Sequence, residues 1–556
     1  VMIATGGTLW LLHANAWGLG GRSPVLNYDT SQYALAAREL ATHGRLATTF
    51  ALPLELSRHA HPPWPLAVVQ PGLVLVEAAI FKLAPRQASL GGRHIAHFYR
   101  PDEREWLVLA PPILCYLAIA TLLAFATSRL LRRHAPDLPG PRRTAAAFTL
   151  GFMFLLDPEA QHFATSGFTE LPFTLGLCAA LLGLALGWAP RRPLVFGLLL
   201  GITGSFRANM LWLAPVLALA AAALAPRGRR LRVLALALVG YALPLAPWWW
   251  YKWRAFGSPS WDLTRFVVWD GVEGRTWFSL YHLPELPPLP AGLAAAKLLA
   301  AKTLRNLPEL LLASLTGPRA LWLGAIVAWL VALRPPRALA VPALAVLAAF
   351  GLSLALTAVS IPWLRYVFPA RVACEVAGLL ALWALVARLR PPAVPVATAR
   401  ALHIVAALLA LGWGGFQTAR ANAEAAATSQ ERGVPGTLTL LQIAVLMNRE
   451  IPAGEPVMSN LGPALAWQAR RPVVHLALSP GDVESCRRRL EFRHVLLVFR
   501  DPARAWPGWT EVVARPEQAV RNPEWNFTRV RVWQSEDGFS FVWLELGPPA
   551  VRLAAR

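Results

Sequence analysis

Charge is what this 556-residue chain has least of: 15% of its residues are Asp, Glu, Lys or Arg, against 56% hydrophobic. A soluble protein of this size carries about 25% charged residues, so a soluble enzyme is excluded. Cysteine is nearly absent, with four in all. Cys115, Cys178 and Cys374 fall in hydrophobic runs and Cys486 stands alone in the polar tail. Neither a disulfide framework nor a zinc-ligand spacing exists. The polar tail carries no Gly-rich phosphate loop. The first apolar stretch, residues 1–20, has no basic leader and no clear Ala-x-Ala cleavage site, so it reads as a retained first span.

What the chain does have is hydrophobic length. Residues 106–131, 233–250, 339–359 and 372–386 are rich in Leu, Ala and Val, and about 20 apolar residues cross a bilayer. The expected class is a polytopic α-helical membrane protein. The formal charge of +22 gathers in short turns: Arg132-Arg133 with Arg142-Arg143, Arg191-Arg192, Arg227 with Arg229-Arg230, Arg334 with Arg337, and Arg388 with Arg390. That is the cytoplasmic excess of the positive-inside rule, not a nucleic-acid footprint.

If all these turns face the cytoplasm, each consecutive pair is joined by an even number of crossings. Parity then puts Glu170, Arg207, the 360–368 segment and the C-terminal tail outside. Residues 64–83 are long enough to cross, but a crossing would separate Asp29 from Glu170. The segment also holds Gln70 and Glu77, and a charge near mid-bilayer is costly. Read as an outer juxtamembrane helix, it leaves about eleven crossings. The chain thus divides into a transmembrane unit, 1–428, with a first outer loop at about 21–104, and an extracytoplasmic α/β domain, 429–556. In that tail, helices are expected at 437–449, 463–469 and 481–491, and strands at 456–460, 473–478 and 494–499. A hairpin, 530–534 with 539–546, turns through Asp537-Gly538.

Asp29 opens a polar helix, 30–44, at the membrane's lip. A carboxylate there can take a proton from an acceptor hydroxyl, a role worth about 10²–10⁴ in rate. It can equally be the helix cap, with Gln32 completing a capping box. Glu170 can orient the acceptor, assist Asp29 or touch a divalent metal, or simply favour a helix start capped by Thr169. Arg207, between two short apolar runs, and Arg365, beside Tyr366, are placed to hold a lipid phosphate, or to snorkel to the interface. For Lys252 and Arg254, beside Trp248–Trp250 and Trp253, interfacial snorkelling in an aromatic belt is the stronger reading. His59 and His61 lack a third ligand. Arg371 and Glu375, spaced i,i+4, are expected to neutralise each other.

Four patterns then fall on the outer side: Asn27-Tyr28-Asp29 with a helix carrying Tyr33, Arg38 and Glu39; Thr169-Glu170-Leu171-Pro172; Pro247-Trp248-Trp249-Trp250-Tyr251-Lys252-Trp253-Arg254; and Pro362-Trp363-Leu364-Arg365-Tyr366-Val367-Phe368-Pro369. Together they resemble the type C glycosyltransferase superfamily, nearest the protein O-mannosyltransferase-like and lipid A aminoarabinose transferase-like enzymes. The resemblance implies a bacterial inner-membrane enzyme. It would take sugar from a polyprenyl-phosphate donor at the extracytoplasmic face, with inversion, and pass it to a lipid, glycan or protein acceptor. Acidic residues in the first two outer loops would serve the reaction, with Asp29 as base and Glu170 second. Thr30 stands where many members carry Glu after the first Asp, and Glu170 where they carry Asp. The rival readings are a lipid or sugar transporter, a polysaccharide polymerase or ligase, and a membrane scaffold. No cofactor is implied beyond the metal left open at Glu170.

Overall fold

In the computed structural model the described residues are 1–17, 23–84, 104–136, 139–316, 319–388, 396–428, 435–501, 506–536 and 538–548. Residues 18–20 of the expected first span lie outside them, as does Asp537 of the hairpin turn. Among the described residues, four helices are long and apolar enough to cross a membrane: Arg104–His134, Arg227–Phe256, Arg337–Val359 and Phe368–Leu385. Gly292–Ser314 and Arg319–Leu333 would make a fifth as one broken span. Glu170–Ala185, Pro193–Gly204 and Met210–Leu224 are shorter apolar helices. The chain is an integral membrane protein, and the expected total of about eleven crossings exceeds what length and apolarity alone identify.

Small residues set how the bundle packs. A Cβ on Gly197 or Gly201 would run into the carbonyl oxygens of Ala237 and Tyr241, and one on Gly240 into that of Leu194. The Pro193–Gly204 helix therefore lies backbone to backbone against Arg230–Phe256, as small-residue spacing permits between helices in lipid. The basic turns meet at one end. Arg133 Nη1 donates to Leu186 O at 2.9 Å, and Arg337 donates to Ala223 O.

The opposite end carries the long loop that follows the first helix. Asn27, not Asp29, caps its helix, Tyr28–His43: the Asn27 Oδ1 accepts from Asp29 N at 3.0 Å and Thr30 N at 3.5 Å. The capping box read at Asp29 and Gln32 is thereby replaced, and the Asp29 side chain is released from capping. Only Pro71–Leu83 of the 64–83 segment is helical, opened by Pro71 at its first turn, where a missing N–H costs nothing. Trp64–Pro65 is instead a strand paired with Ala47–Thr48. Gly72 N donates to Ser205 O at 2.7 Å, which docks this helix on the turn that carries Arg207.

The tail forms a six-stranded sheet in the order Phe50–Ala51, Val473–His475, Val457–Ser459, His494–Phe499, Ser540–Leu546, Phe527–Gln534. The first four strands run parallel and the hairpin is antiparallel. One edge strand, Phe50–Ala51, belongs to the loop region that follows the first helix. The two regions are also tied by Arg38, which donates to Ala466 O and Trp467 O and lies 4.4 Å from the Trp467 ring. The tail domain and the Asp29 helix thus share one face of the protein.

Candidate active site

Two close approaches bring the Asp29 and Glu170 segments together. Thr30 Oγ1, one residue after Asp29, donates to Ser166 O. The next residue, Gly167, adopts φ +68°, and a Cβ there would sit 2.6 Å from Thr30 Cγ2. Glycine is thus required both by the left-handed backbone and by the space. The contact sets the first turn of Tyr28–His43 against the start of Glu170–Ala185. Thr169 stands at the cap position of that helix, but its side chain makes no capping bond.

Asp29, Glu170, Arg207, Arg365 and Tyr366 form one cluster. Arg365 Nη1 donates to Asp29 Oδ2 at 2.9 Å, and its Nε lies 3.9 Å from Glu170 Oε1. Arg207 Nη1 lies 2.7 Å from the same Glu170 oxygen, with its guanidinium 4.9 Å from the Tyr366 ring. The Tyr366 hydroxyl accepts from Arg365 Nη2 at 3.3 Å. Exposure is graded across the cluster: 3% for the Glu170 side chain, 12% for Arg207, 26% for Arg365 and 36% for Asp29. Asp29 is therefore the group that faces out.

Burial alone would weaken the hold of Arg365 on its proton. Asp29, Glu170 and Tyr366 outweigh it and keep its pKa above the ordinary value. At Arg207 burial acts the same way and is outweighed by Glu170 and Tyr366. Both guanidiniums stay charged at any working pH. Arg365 is also packed by aromatic faces, with Trp363 at 4.9 Å and Phe168 at 5.4 Å. Its Nε–H is buried and has no hydrogen-bond partner among the described residues.

Lys252 is not in this cluster. It is buried and pairs with Asp262 at 3.0 Å, 5.0 Å from the Trp248 ring, and Asp262 also accepts from Gln70. The snorkelling reading fails for it, while Trp250 and Trp253 are exposed as a belt requires. Arg254 is exposed in the last turn of the same helix. His59 bonds the Ala255 carbonyl at 2.7 Å. The divalent-metal reading of Glu170 is opposed by its surroundings, since two guanidiniums already face that carboxylate. Among the described residues no group of three or more His, Cys, Asp or Glu could hold a metal. Arg371 and Glu375 do not simply cancel: Arg371 bonds Asp157 at 2.9 Å and Glu375 bonds Arg319 at 3.0 Å, leaving their own separation at 3.7 Å.

Tyrosines near the acids went unassigned in the sequence. Burial, with Asp29 beside it, raises the pKa of Tyr33, whose hydroxyl reaches Thr169. Burial raises Tyr28 as well, with Glu55 and Asp29 nearby, and Tyr281 lies in the fields of Asp262 and Tyr366. With Tyr366, half of the chain's eight tyrosines gather here. The one legible signal was Tyr33, four residues after Asp29 and hence on the same helix face.

Fold and site together define a multi-helix integral membrane protein with paired acids and arginines at one membrane face, next to a sheet domain. No protein-family model matches the chain, and no curated protein sequence does. Solved structures do. ArnT from Cupriavidus metallidurans bound to undecaprenyl phosphate superposes with a TM-score of 0.54 at 14% identity, over 98% of this chain and 97% of that one. ArnT from the same organism in the apo state gives 0.53 at 13%, over the same shares. The likeness is one of fold, and it runs over nearly the whole of both chains.

Proposed function

We propose that this protein is a glycosyltransferase of a bacterial inner membrane. It moves a sugar from a polyprenyl-phosphate donor to an acceptor hydroxyl or amine at the extracytoplasmic face, with inversion. The observation that carries the reading is Arg365, a partly exposed guanidinium set between two acids with one N–H still unbonded. A fold shared with a protein solved with undecaprenyl phosphate supports it.

In this reading the donor phosphate takes bidentate bonds from Arg365, with Arg207 beside it, because a planar guanidinium matches phosphate oxygens. The acceptor oxygen attacks the anomeric carbon and its proton passes to Asp29. The bond from that carbon to the phosphate oxygen breaks, and its electron pair leaves on the polyprenyl phosphate. Glu170 holds Arg207 and Arg365 in register. Before the donor arrives, Asp29 is tied to Arg365, and the oxygen so engaged is not open to an acceptor's proton. Arrival of phosphate at Arg365 frees it, so the donor binds first. Lys252 is committed to Asp262, and Arg254 is left to the interfacial rim.

The test is purified protein offered several polyprenyl-phosphate sugars, scored for release of free carrier phosphate. Asp29→Asn is expected to keep insertion and thermal stability while losing about 10²–10⁴ in rate. Full activity in that variant removes the mechanism.

A further inference from the structure

At the arginine-rich end of the bundle, far from the acids, a cavity of about 1180 Å³ opens between helices. Its walls are apolar, with Leu130, Leu182, Trp329, Ala343 and Leu380 among them, and no Asp or Glu lines it. Protein interiors leave few voids larger than a water molecule, and ligand pockets run to roughly 300–1,000 Å³. A dry space this large, inside the apolar layer of an integral membrane protein, is one that hydrocarbon fills.

The rim carries His134 and Arg142. Three neighbouring arginines at this end are bonded to backbone carbonyls: Arg133 to Leu186, Arg143 to Pro136 and Arg337 to Ala223. Arg142 is exposed, and its guanidinium meets no partner among the described residues. Basic pockets between membrane helices at such an end receive phosphate headgroups.

We propose that this cavity binds an anionic phospholipid of the adjoining leaflet, with the phosphate on Arg142 and the acyl chains between the helices. The lipid is distinct from any donor at Arg365. Glu170 opens the helix whose last residue, Ala185, lines the cavity. At 1.5 Å per residue the two ends are about 22 Å apart. One phosphate cannot serve both, so a donor held at Arg365 would offer Arg142 only hydrocarbon. The inference does not depend on the protein's being a glycosyltransferase.

The experiment uses the full chain in detergent, titrated with phosphatidylglycerol or phosphatidylcholine. Bound lipid is counted by native mass spectrometry and stabilisation is followed by thermal unfolding. Phosphatidylglycerol is expected to bind more tightly and to raise the melting temperature more. Arg142→Glu should weaken phosphatidylglycerol by more than about fivefold, since loss of one basic side chain facing an anionic headgroup is worth that much and the new carboxylate repels the phosphate, and leave phosphatidylcholine unchanged. Arg229→Glu, an exposed arginine at the same end that does not line the cavity, should change neither. Equal binding of the two lipids, an equal loss in Arg229→Glu, or retention of polyprenyl phosphate in place of phospholipid would each overturn the proposal.

Discussion

Arg365 and Arg371 lie on one continuous segment, and each gathers carboxylates from other helices, yet the two clusters are built differently. Arg371 is 6% exposed and meets Asp157, itself 8% exposed, at 2.9 Å, with Glu159 at 3.2 Å and Glu375 at 3.7 Å. Asp157 additionally caps the Pro158–Ser166 helix through Glu159 N and Ala160 N. Arg365 keeps a partly exposed acid and a ring of aromatic faces. The same residue types therefore serve two ends. Where the charges are sealed and shared among helix termini they hold the bundle. Where one edge stays wet, with Arg365 26% and Asp29 36% exposed, they are open to a ligand.

The sharpest way to break this comparison is to delete each arginine in turn. Arg371→Ala leaves buried carboxylates uncompensated, a loss of about 3–5 kcal/mol. It should appear as a collapse of thermal stability in detergent. Arg365→Ala leaves Glu170 paired with Arg207 and Asp29 open to water, so its stability should fall by no more than about 1 kcal/mol while sugar transfer is lost. Equal destabilisation by the two would erase the distinction. A smaller effect sharpens it: Arg365→Lys keeps the charge but not the planar fork. It should lower kcat/KM for the lipid donor about tenfold, with the acceptor's KM unmoved.

Much of the framework was legible because it rests on local pattern. The expected strand 494–499 is the observed His494–Phe499, and helix 437–449 differs from Thr437–Glu450 by one residue. The five clustered residues were legible individually, through position at span ends and likeness to a family. Their partners were not. Asn27 and Asp29 are both good caps, and only the backbone shows that Asn27 takes the role. Pro71 marked the true start of its helix, but the apolar run around it suggested a longer one. The Phe50–Ala51 strand has two residues, too few for any alternation to be seen. Arg371 had Glu375 one turn away, so Asp157, distant in the chain, stayed hidden.

The last expected effect concerns pH, and it contrasts two buried groups that lie near the site in the fold. Burial pushes Glu55 up to about 8 from 4.5, only partly offset by its bond from Leu52 N. Burial pushes His282 down to about 4 from 6.5, against the Leu476 carbonyl's opposing pull. Folded Glu55 holds a proton that the unfolded chain gives up above pH 4.5, so its contribution is full below that pH and is lost as pH rises towards 8. For His282 the unfolded chain binds the extra proton, so stability is lost as pH falls from 6.5 through 4. Glu55→Gln keeps an oxygen for Leu52 N and removes the titration. Its melting temperature should match the parent's near pH 4.5 and exceed it increasingly towards pH 8.5, while the acid-side decline set by His282 persists in both. Parallel curves for the two proteins across that range would mean that Glu55 is already ionised in the folded state, and that the loop beside Asp29 is wetter than its packing implies.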